Sequence, residues 1–230
     1  MISVNSYQSL GAVDGPGVRF VVFLQGCNLK CKYCHNPETM PFKKENMVSC
    51  DELTSRIERY KSFIFEKGGV TFSGGEPLCQ ARELIEAFKA LKEKGYHLAL
   101  DTNGSILNED VKKLLEFTDL VLLDLKMPDN YLYNDYTGVS LDTVMTFFEY
   151  LSKINKKVWI RQVIVEGVND TNENIAFLTK IKAYENVEKI ELLPFRKLCE
   201  TKYDELGIKF PMADFCETKK ETIQKLYNLL

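Results

Sequence analysis

Six apolar runs rich in Val, Ile, Leu and Phe recur along the chain, at about 18–24 (VRFVVFL), 69–73 (GVTFS), 97–101 (HLALD), 119–124 (DLVLLD), 157–164 (KVWIRQVI) and 187–193 (VEKIELL). Such runs predict strands buried on both faces. Apolar residues recur at helical spacing over about 51–66, 79–94, 108–116, 140–154, 171–184 and 218–229. Helix starts are signalled by Ser49 ahead of Asp51-Glu52, Asn108 ahead of Glu109-Asp110, and Asp170 ahead of TNENIAFL. Strand and helix thus alternate six times. That pattern predicts an α/β fold with a parallel sheet and right-handed crossovers, either open and doubly wound or a barrel of fewer than eight strands. No repeat, low-complexity tract or linker breaks the pattern, so a single domain over 1–230 is expected.

The unusual polar residues stand just after the strands: GCNLKCKYCHN, then GGEP, DTNG, DLK, Arg161 with Glu166-Gly167, and Pro194-Phe195-Arg196. Parallel α/β folds build their sites at that edge, where the loops converge.

Composition narrows the function classes. In 230 residues, 45% hydrophobic and 27% charged side chains give a large core and an ordinary surface, which excludes disorder as the dominant state. A net charge of −3, with basic clusters no longer than dipeptides, argues against nucleic acid as a partner. The opening MISVNSYQSLGAVDGPG has no secretory pattern and no later run is long enough to span a membrane, so a cytoplasmic protein without a membrane partner is expected.

Seven cysteines are too odd a set for a disulfide framework, and three of them, Cys27, Cys31 and Cys34, crowd into eight residues. Three soft thiolates wrapped in one loop suit zinc or an iron–sulfur cluster. Structural zinc normally takes four protein ligands, and no second Cys or His pair exists, although Cys50 or Cys79 offers a fourth thiol. A four-iron cluster on three cysteines leaves one iron open to chemistry.

The stretch Gly15-Pro16-Gly17-Val18-Arg19, followed by Phe23, Gly26, the three cysteines, His35 and Asn36, resembles the signature of the activating enzymes of glycyl radical enzymes, within the radical S-adenosylmethionine superfamily. VDGPGVRF, GCNLKCKYCHN, GGVTFSGGEP, LDTNG, DLVLLDLK, VWIRQVIVEG and NVEKIELLPF follow the order of the compact type that acts on pyruvate formate-lyase. Many other activating enzymes carry a cysteine-rich insertion after the first motif. This chain passes directly from His35 to the helix near Asp51.

The resemblance implies a partial (β/α)6, TIM-like barrel of the radical SAM type with parallel strands. It implies a [4Fe-4S] cluster on Cys27, Cys31 and Cys34, with S-adenosylmethionine chelated at the open iron. Reductive cleavage then gives methionine and a 5′-deoxyadenosyl radical, which takes a hydrogen from a backbone glycine of the partner, pyruvate formate-lyase or a related glycyl radical enzyme. Flavodoxin or ferredoxin is the implied electron donor, and the protein a monomer. By the same resemblance Gly74, Gly75 and Glu76 meet the methionine amino group. Asp101, Thr102 and Asp124 line the cofactor and a monovalent cation beside its carboxylate, and Lys126 also touches the cofactor. Tyr33 and His35 face the adenine, with Val163 on its other side. Arg161 and Lys126 are the implied catalytic residues, and Asp14 and Arg19 the contacts to the partner's glycine loop. Read from the residues alone, each has an ordinary alternative: GGEP a plain turn, Asp124–Lys126 a solvated pair, Arg161 a structural ion pair, and Gly-Pro-Gly a turn feeding the first strand. Trp159 reads as packing, and His97 receives no role.

One departure stands out. Arg196 occupies the place of the family's His and Cys199 that of a Gly, while Leu198, Lys202 and Tyr203 keep the family spacing. Arginine can grip a carboxylate in a fork but cannot shuttle a proton, so a charge-assisted contact from Arg196 to the cofactor is the expectation. Two rival functions remain: a radical enzyme acting on a small molecule such as a pterin, as deazaguanine synthases do, and a non-enzymatic electron carrier or zinc-stabilised binding module.

Overall fold

A computed structural model describes residues 1–230. The strands are β1 (Ile2–Gly11), β2 (Arg19–Leu24), β3 (Met47–Val48), β4 (Gly69–Gly74), β5 (Leu98–Thr102), β6 (Leu120–Asp124), β7 (Val158–Ile164) and β8 (Val187–Pro194). The helices are α1 (Cys50–Glu58), α2 (Lys61–Ile64), α3 (Ala81–Glu93), α4 (Glu109–Glu116), α5 (Asn130–Thr137), α6 (Leu141–Lys153), α7 (Asn172–Lys182), α8 (Glu200–Glu205) and α9 (Lys220–Leu229). The strands follow the order β3-β1-β2-β4-β5-β6-β7-β8 in one open sheet, as in a partial barrel. No helix is long and apolar enough to cross a membrane.

The chain divides into two compact units, residues 1–28 with 39–122, and residues 29–38 with 123–230. The division falls inside β6 and inside the cysteine-rich stretch, not in a polar linker of the kind that separates independent domains.

In the first unit β2, β4 and β5 run parallel, and their side chains at Phe20, Val21, Val22, Val70, Phe72, Ala99 and Leu100 are buried as the apolar runs require. β1 is an addition to the predicted set. Its sequence ISVNSYQSLG buries Ile2–Val4 and then alternates half-buried with exposed residues while it pairs antiparallel with β2, a half-polar pattern unlike the apolar runs. The helix expected over 51–66 is broken: α1 ends with Glu58, and Tyr60 opens the single turn of α2. Ser49 caps α1 through Glu52 N–H and Asn108 caps α4 through Val111 N–H, as expected.

In the second unit β7 and β8 run parallel, and β7 alternates strictly. Val158, Ile160, Gln162 and Ile164 are buried, while Trp159, Arg161 and Val163 share the less buried face. The cap of α7 is Thr171, one residue beyond the expected Asp170, whose carboxylate instead accepts from Gly167 N–H at 2.7 Å.

Arg19 corrects an expectation. It is fully buried at the start of β2, so it presents no surface to a partner. Its Nε donates to Thr71 Oγ1 at 2.9 Å and its Nη2 to Val70 O at 2.7 Å. Nη1 meets His97 Nδ1 at 3.1 Å, which gives His97 the role the sequence withheld. Burial lowers the Arg19 pKa to about 10, against the pull of Asp119 and Asp14, and the guanidinium stays charged. Arg19 thus ties the starts of β2, β4 and β5 together. Arg19→Ala removes all of these contacts from a buried site and is expected to cost about 3–5 kcal/mol of stability. Denaturant unfolding checks this, and an unchanged midpoint would refute the tie.

Candidate active site

In the first unit the exits of β2, β4 and β5 form one polar cluster. Gly74 and Gly75 are required by the neighbouring backbone: a Cβ on Gly74 would lie 2.5 Å from Leu24 N, and one on Gly75 2.3 Å from Gly26 O. Gly75 N–H donates to Leu24 O and Glu76 N–H to Gly26 O, both at 2.8 Å, so the β4 exit lies directly on the turn that leads into Cys27. That turn is also held by 39–40, through Gly26 N–H to Thr39 O (2.7 Å) and Cys27 N–H to Met40 O (3.1 Å).

Glu76 is buried. Its Oε1 accepts from Leu78 N–H (3.0 Å) and Thr102 Oγ1–H (2.5 Å), and its Oε2 from Asn103 N–H (2.8 Å). Two carboxylate oxygens offer about four acceptor positions, so Oε2 keeps one for a further donor. Burial pushes the Glu76 pKa up to about 7, against the pull of those three hydrogen bonds. Thr102 is itself buried and committed, because its Oγ1 also accepts from Gly104 N–H at 3.1 Å. Asp101 is braced by Ser73 Oγ at 2.7 Å. Asn28 and Asn103, which sequence reasoning did not single out, join the first-cysteine loop to the β5 exit through Asn103 Nδ2–H to Asn28 Oδ1 (3.3 Å). Their part rests on a backbone N–H and an amide, which no motif spacing announces.

The second unit carries Cys31, Tyr33, Cys34 and His35 with the exits of β6, β7 and β8. Lys32 N–H donates to Tyr136 O (2.9 Å) at the end of α5. Lys126 pairs with Asp124 (2.8 Å) and stands 6.0 Å from the Tyr33 ring centre. Burial opposes the Lys126 charge, but Asp124 and the neighbouring Cys31 outweigh it and hold the pKa above its ordinary value. Tyr133 braces the pair by donating to Asp124 O at 3.2 Å. Tyr33 is buried and its hydroxyl has no hydrogen-bond partner, an arrangement that is costly unless a ligand supplies one.

Arg161 faces Glu191 on β8, Nε to Oε2 at 3.8 Å, so the anion that its buried position demands is there. Val163 lies on the same strand face. Asn169, fully buried and absent from the sequence reading, fixes the end of this strand: its Nδ2 donates to Val163 O (2.9 Å) and its Oδ1 accepts from Val165 N–H (2.8 Å). His35 is exposed, and its Nε2–H donates to the carbonyl of Arg196 (2.9 Å). The Arg196 guanidinium is turned toward the C-terminal segment, donating to Thr218 O (2.9 Å) and Glu217 (3.3 Å). Arg196 thus serves His35 through its carbonyl, while Nη1 of its side chain is engaged by the C-terminal segment.

Asp14 sits half-buried at the opposite end of β2 from Gly26, about 17 Å away along a six-residue strand. Its carbonyl accepts from Thr71 Oγ1–H at 2.6 Å.

None of the seven cysteines is in a disulfide, and soft thiolates of this kind suit an iron–sulfur cluster, in which each bonds its own iron. Burial raises the Cys34 thiol to about 12, so it stays protonated until a metal displaces its proton.

The Radical SAM superfamily model matches residues 21–178. The chain is 42% identical over 229 residues to the pyruvate formate-lyase-activating enzyme of Clostridium pasteurianum, covering 99% of this chain and 96% of that one. It is 39% identical over 231 residues to the pyruvate formate-lyase 1-activating enzyme of Escherichia coli K12, covering 99% and 94%. Among solved structures, a domain of pyruvate-formate lyase-activating enzyme from Bacteroides vulgatus superposes with a TM-score of 0.59 at 27% identity, covering 71% of this chain and 92% of that one.

Proposed function

Because the chain belongs to the radical SAM superfamily, and within it to the pyruvate formate-lyase-activating enzymes, we propose that it generates the glycyl radical of pyruvate formate-lyase by taking a hydrogen from a backbone glycine of that partner. The observation that carries this reading is similarity to activating enzymes over nearly the whole chain. Cys27, Cys31 and Cys34 would hold a [4Fe-4S] cluster with one iron open to S-adenosylmethionine, and the pair, reduced by flavodoxin or ferredoxin, would supply the carbon-centred radical for hydrogen abstraction.

The rest is done by this chain's own residues. Glu76 offers its remaining acceptor position to the cofactor's amino group, and Thr102 and Asn103 hold that carboxylate still. Asp101 and Asp124 are the carboxylates that would serve the carboxylate end of the cofactor, where a monovalent cation would offset the negative charge. Lys126, kept protonated by Asp124, gives a fixed positive charge there. Tyr33, whose hydroxyl needs a partner, faces the adenine with His35 and Val163. Arg161 faces the reacting region, its charge balanced by Glu191.

Asp14 takes part in docking the partner and not in aiming its glycine, since it lies at the far end of β2 from the Cys27 turn. Asp14→Ala is therefore expected to lower glycyl radical formation at least tenfold while uncoupled cleavage of S-adenosylmethionine stays within about twofold. Equal loss of both reactions would make Asp14 structural. The function itself is tested by incubating the anaerobically reconstituted chain with cofactor, reductant and pyruvate formate-lyase, and reading the glycyl radical by electron paramagnetic resonance. No radical on that partner or a related glycyl radical enzyme would overturn the proposal.

A further inference from the structure

The stretch that follows the third cysteine is fastened by residues near the C-terminal end of the chain, beyond the region matched by the superfamily model. Tyr203 on α8 donates from its hydroxyl to the carbonyl of Cys34 at 3.2 Å. The neighbouring Lys202 donates to Asn36 Oδ1 at 2.9 Å and to Glu38 Oε1 at 2.6 Å. Both contacts belong to the second unit. The tyrosine is not a loose arm. It is 3% exposed, and its ring packs 4.8 Å from Phe210, which lies 6.3 Å from Phe195 at the end of β8. Its hydroxyl is therefore held at one place before any ligand arrives, and burial keeps it a protonated donor.

We propose that Tyr203 and Lys202 are positioning residues for the cluster: α8 clamps Cys34–Glu38 so that the third thiolate is set before the metal binds, and Lys202 offsets the Glu38 charge beside it. Two independent needs meet here. A short loop presenting ligands to a multi-iron cluster has to give up its conformational freedom, and a carbonyl anchored by a packed phenol supplies that order in advance. A carboxylate close to a cluster also disfavours its reduced, more negative form, and the paired ammonium removes that penalty. Glu38 is held by the same ammonium that grips Asn36, two residues after Cys34, which gives the charge part its geometric basis. Glu38 and Lys202 are each about a third exposed at the side chain, so the pair adds little to global stability and its effect is local.

The charge part rests on the assignment of Cys34 as a cluster ligand, whereas the clamp is testable without iron. In the iron-free chain, native-state alkylation of Cys34, resolved by mass spectrometry with Cys50 and Cys79 as internal references, is expected to rise at least fivefold in Tyr203→Phe and in Lys202→Met. Tyr203→Phe keeps the ring and hence the packing, and the unfolding midpoint reports whether the fold persists. Unchanged Cys34 reactivity in both folded variants would overturn the clamp. In the reconstituted chain, redox titration followed by electron paramagnetic resonance should show a cluster that is harder to reduce in Lys202→Met, with Lys202→Met/Glu38→Gln returning toward the wild-type potential and Lys202→Arg close to it. A double variant as displaced as the single one would overturn the charge role. If the wild-type chain takes up no iron, the cluster reading itself fails, and the alkylation result still decides the clamp.

Discussion

Replacing any one of Cys27, Cys31 or Cys34 by Ala should abolish cluster assembly and cofactor cleavage, while Ala at Cys50, Cys79, Cys199 or Cys216 should retain the iron. The expectation follows from what each thiol is doing. Cys199 is buried at the start of α8, and Cys216 is exposed on the C-terminal segment. Cys79 is the sharpest control, because burial raises its thiol to about 11 and its S–H points to Asn28 Oδ1 at 3.7 Å, next to the first cluster cysteine. If zinc or a closed cluster needed a fourth thiolate, Cys79, beside Asn28, is a candidate in the first unit to supply it. Iron content and the absorption of the reconstituted chain read the outcome. Loss of iron from Cys79→Ala would bring back the closed four-thiolate centre, and with it the reading of the chain as a carrier or binding module.

The residues differ widely in how openly the sequence displays them. All six apolar runs become strands within a residue of their expected limits, but burial on both faces holds only for β2, β4, β5 and β6: β7 leaves Trp159, Arg161 and Val163 less buried, and β8 leaves Glu188 and Lys189 exposed. β1 and α5 carry no such apolar run. β1 is half polar on an antiparallel edge, and α5, NYLYNDYT, is a short tyrosine-rich helix made by an Asp129 cap and ended by Gly138 at φ +85°. The three cysteines stand out in the sequence because their spacing crowds them into eight residues. What the motifs concealed was the division of labour inside them. Gly74 and Gly75 read as room for a ligand, yet they first make room for the β2 backbone. Arg19 read as a partner contact, yet it is buried in a knot with Thr71, Val70 and His97. Asn103 contributes through a main-chain N–H, which every residue but proline possesses and no sequence pattern marks.

The same cluster around Glu76 gives the second large effect, a dependence of cofactor binding on pH. A carboxylate accepts a donor in its ionised form, and burial raises Glu76 to about 7 although Thr102, Asn103 and Leu78 all stabilise the charge. Above that value the remaining acceptor position on Oε2 is available to the cofactor's amino group. Below it the proton that Glu76 has bound must be removed first, so affinity falls as pH falls. The ratio of ionised fractions predicts a loss of about tenfold between pH 8 and pH 6. Glu76→Gln should bind S-adenosylmethionine at least tenfold more weakly at pH 8, since a charge-assisted hydrogen bond is worth about 1.5–3 kcal/mol, and its pH profile should be shallower. The amide also places an NH2 group against one of three donors, which is expected to lower stability by about 1–3 kcal/mol. Asp101→Asn keeps the three contacts that fix Glu76 but removes a neighbouring negative charge that helps raise its pKa, so the profile is expected to shift to lower pH. Equilibrium binding of S-adenosylmethionine to the reconstituted chain between pH 6 and pH 8 measures the slope. A profile in Glu76→Gln as steep as that of the wild type would show that the titrating group is not Glu76, and that the buried carboxylate serves the turn alone.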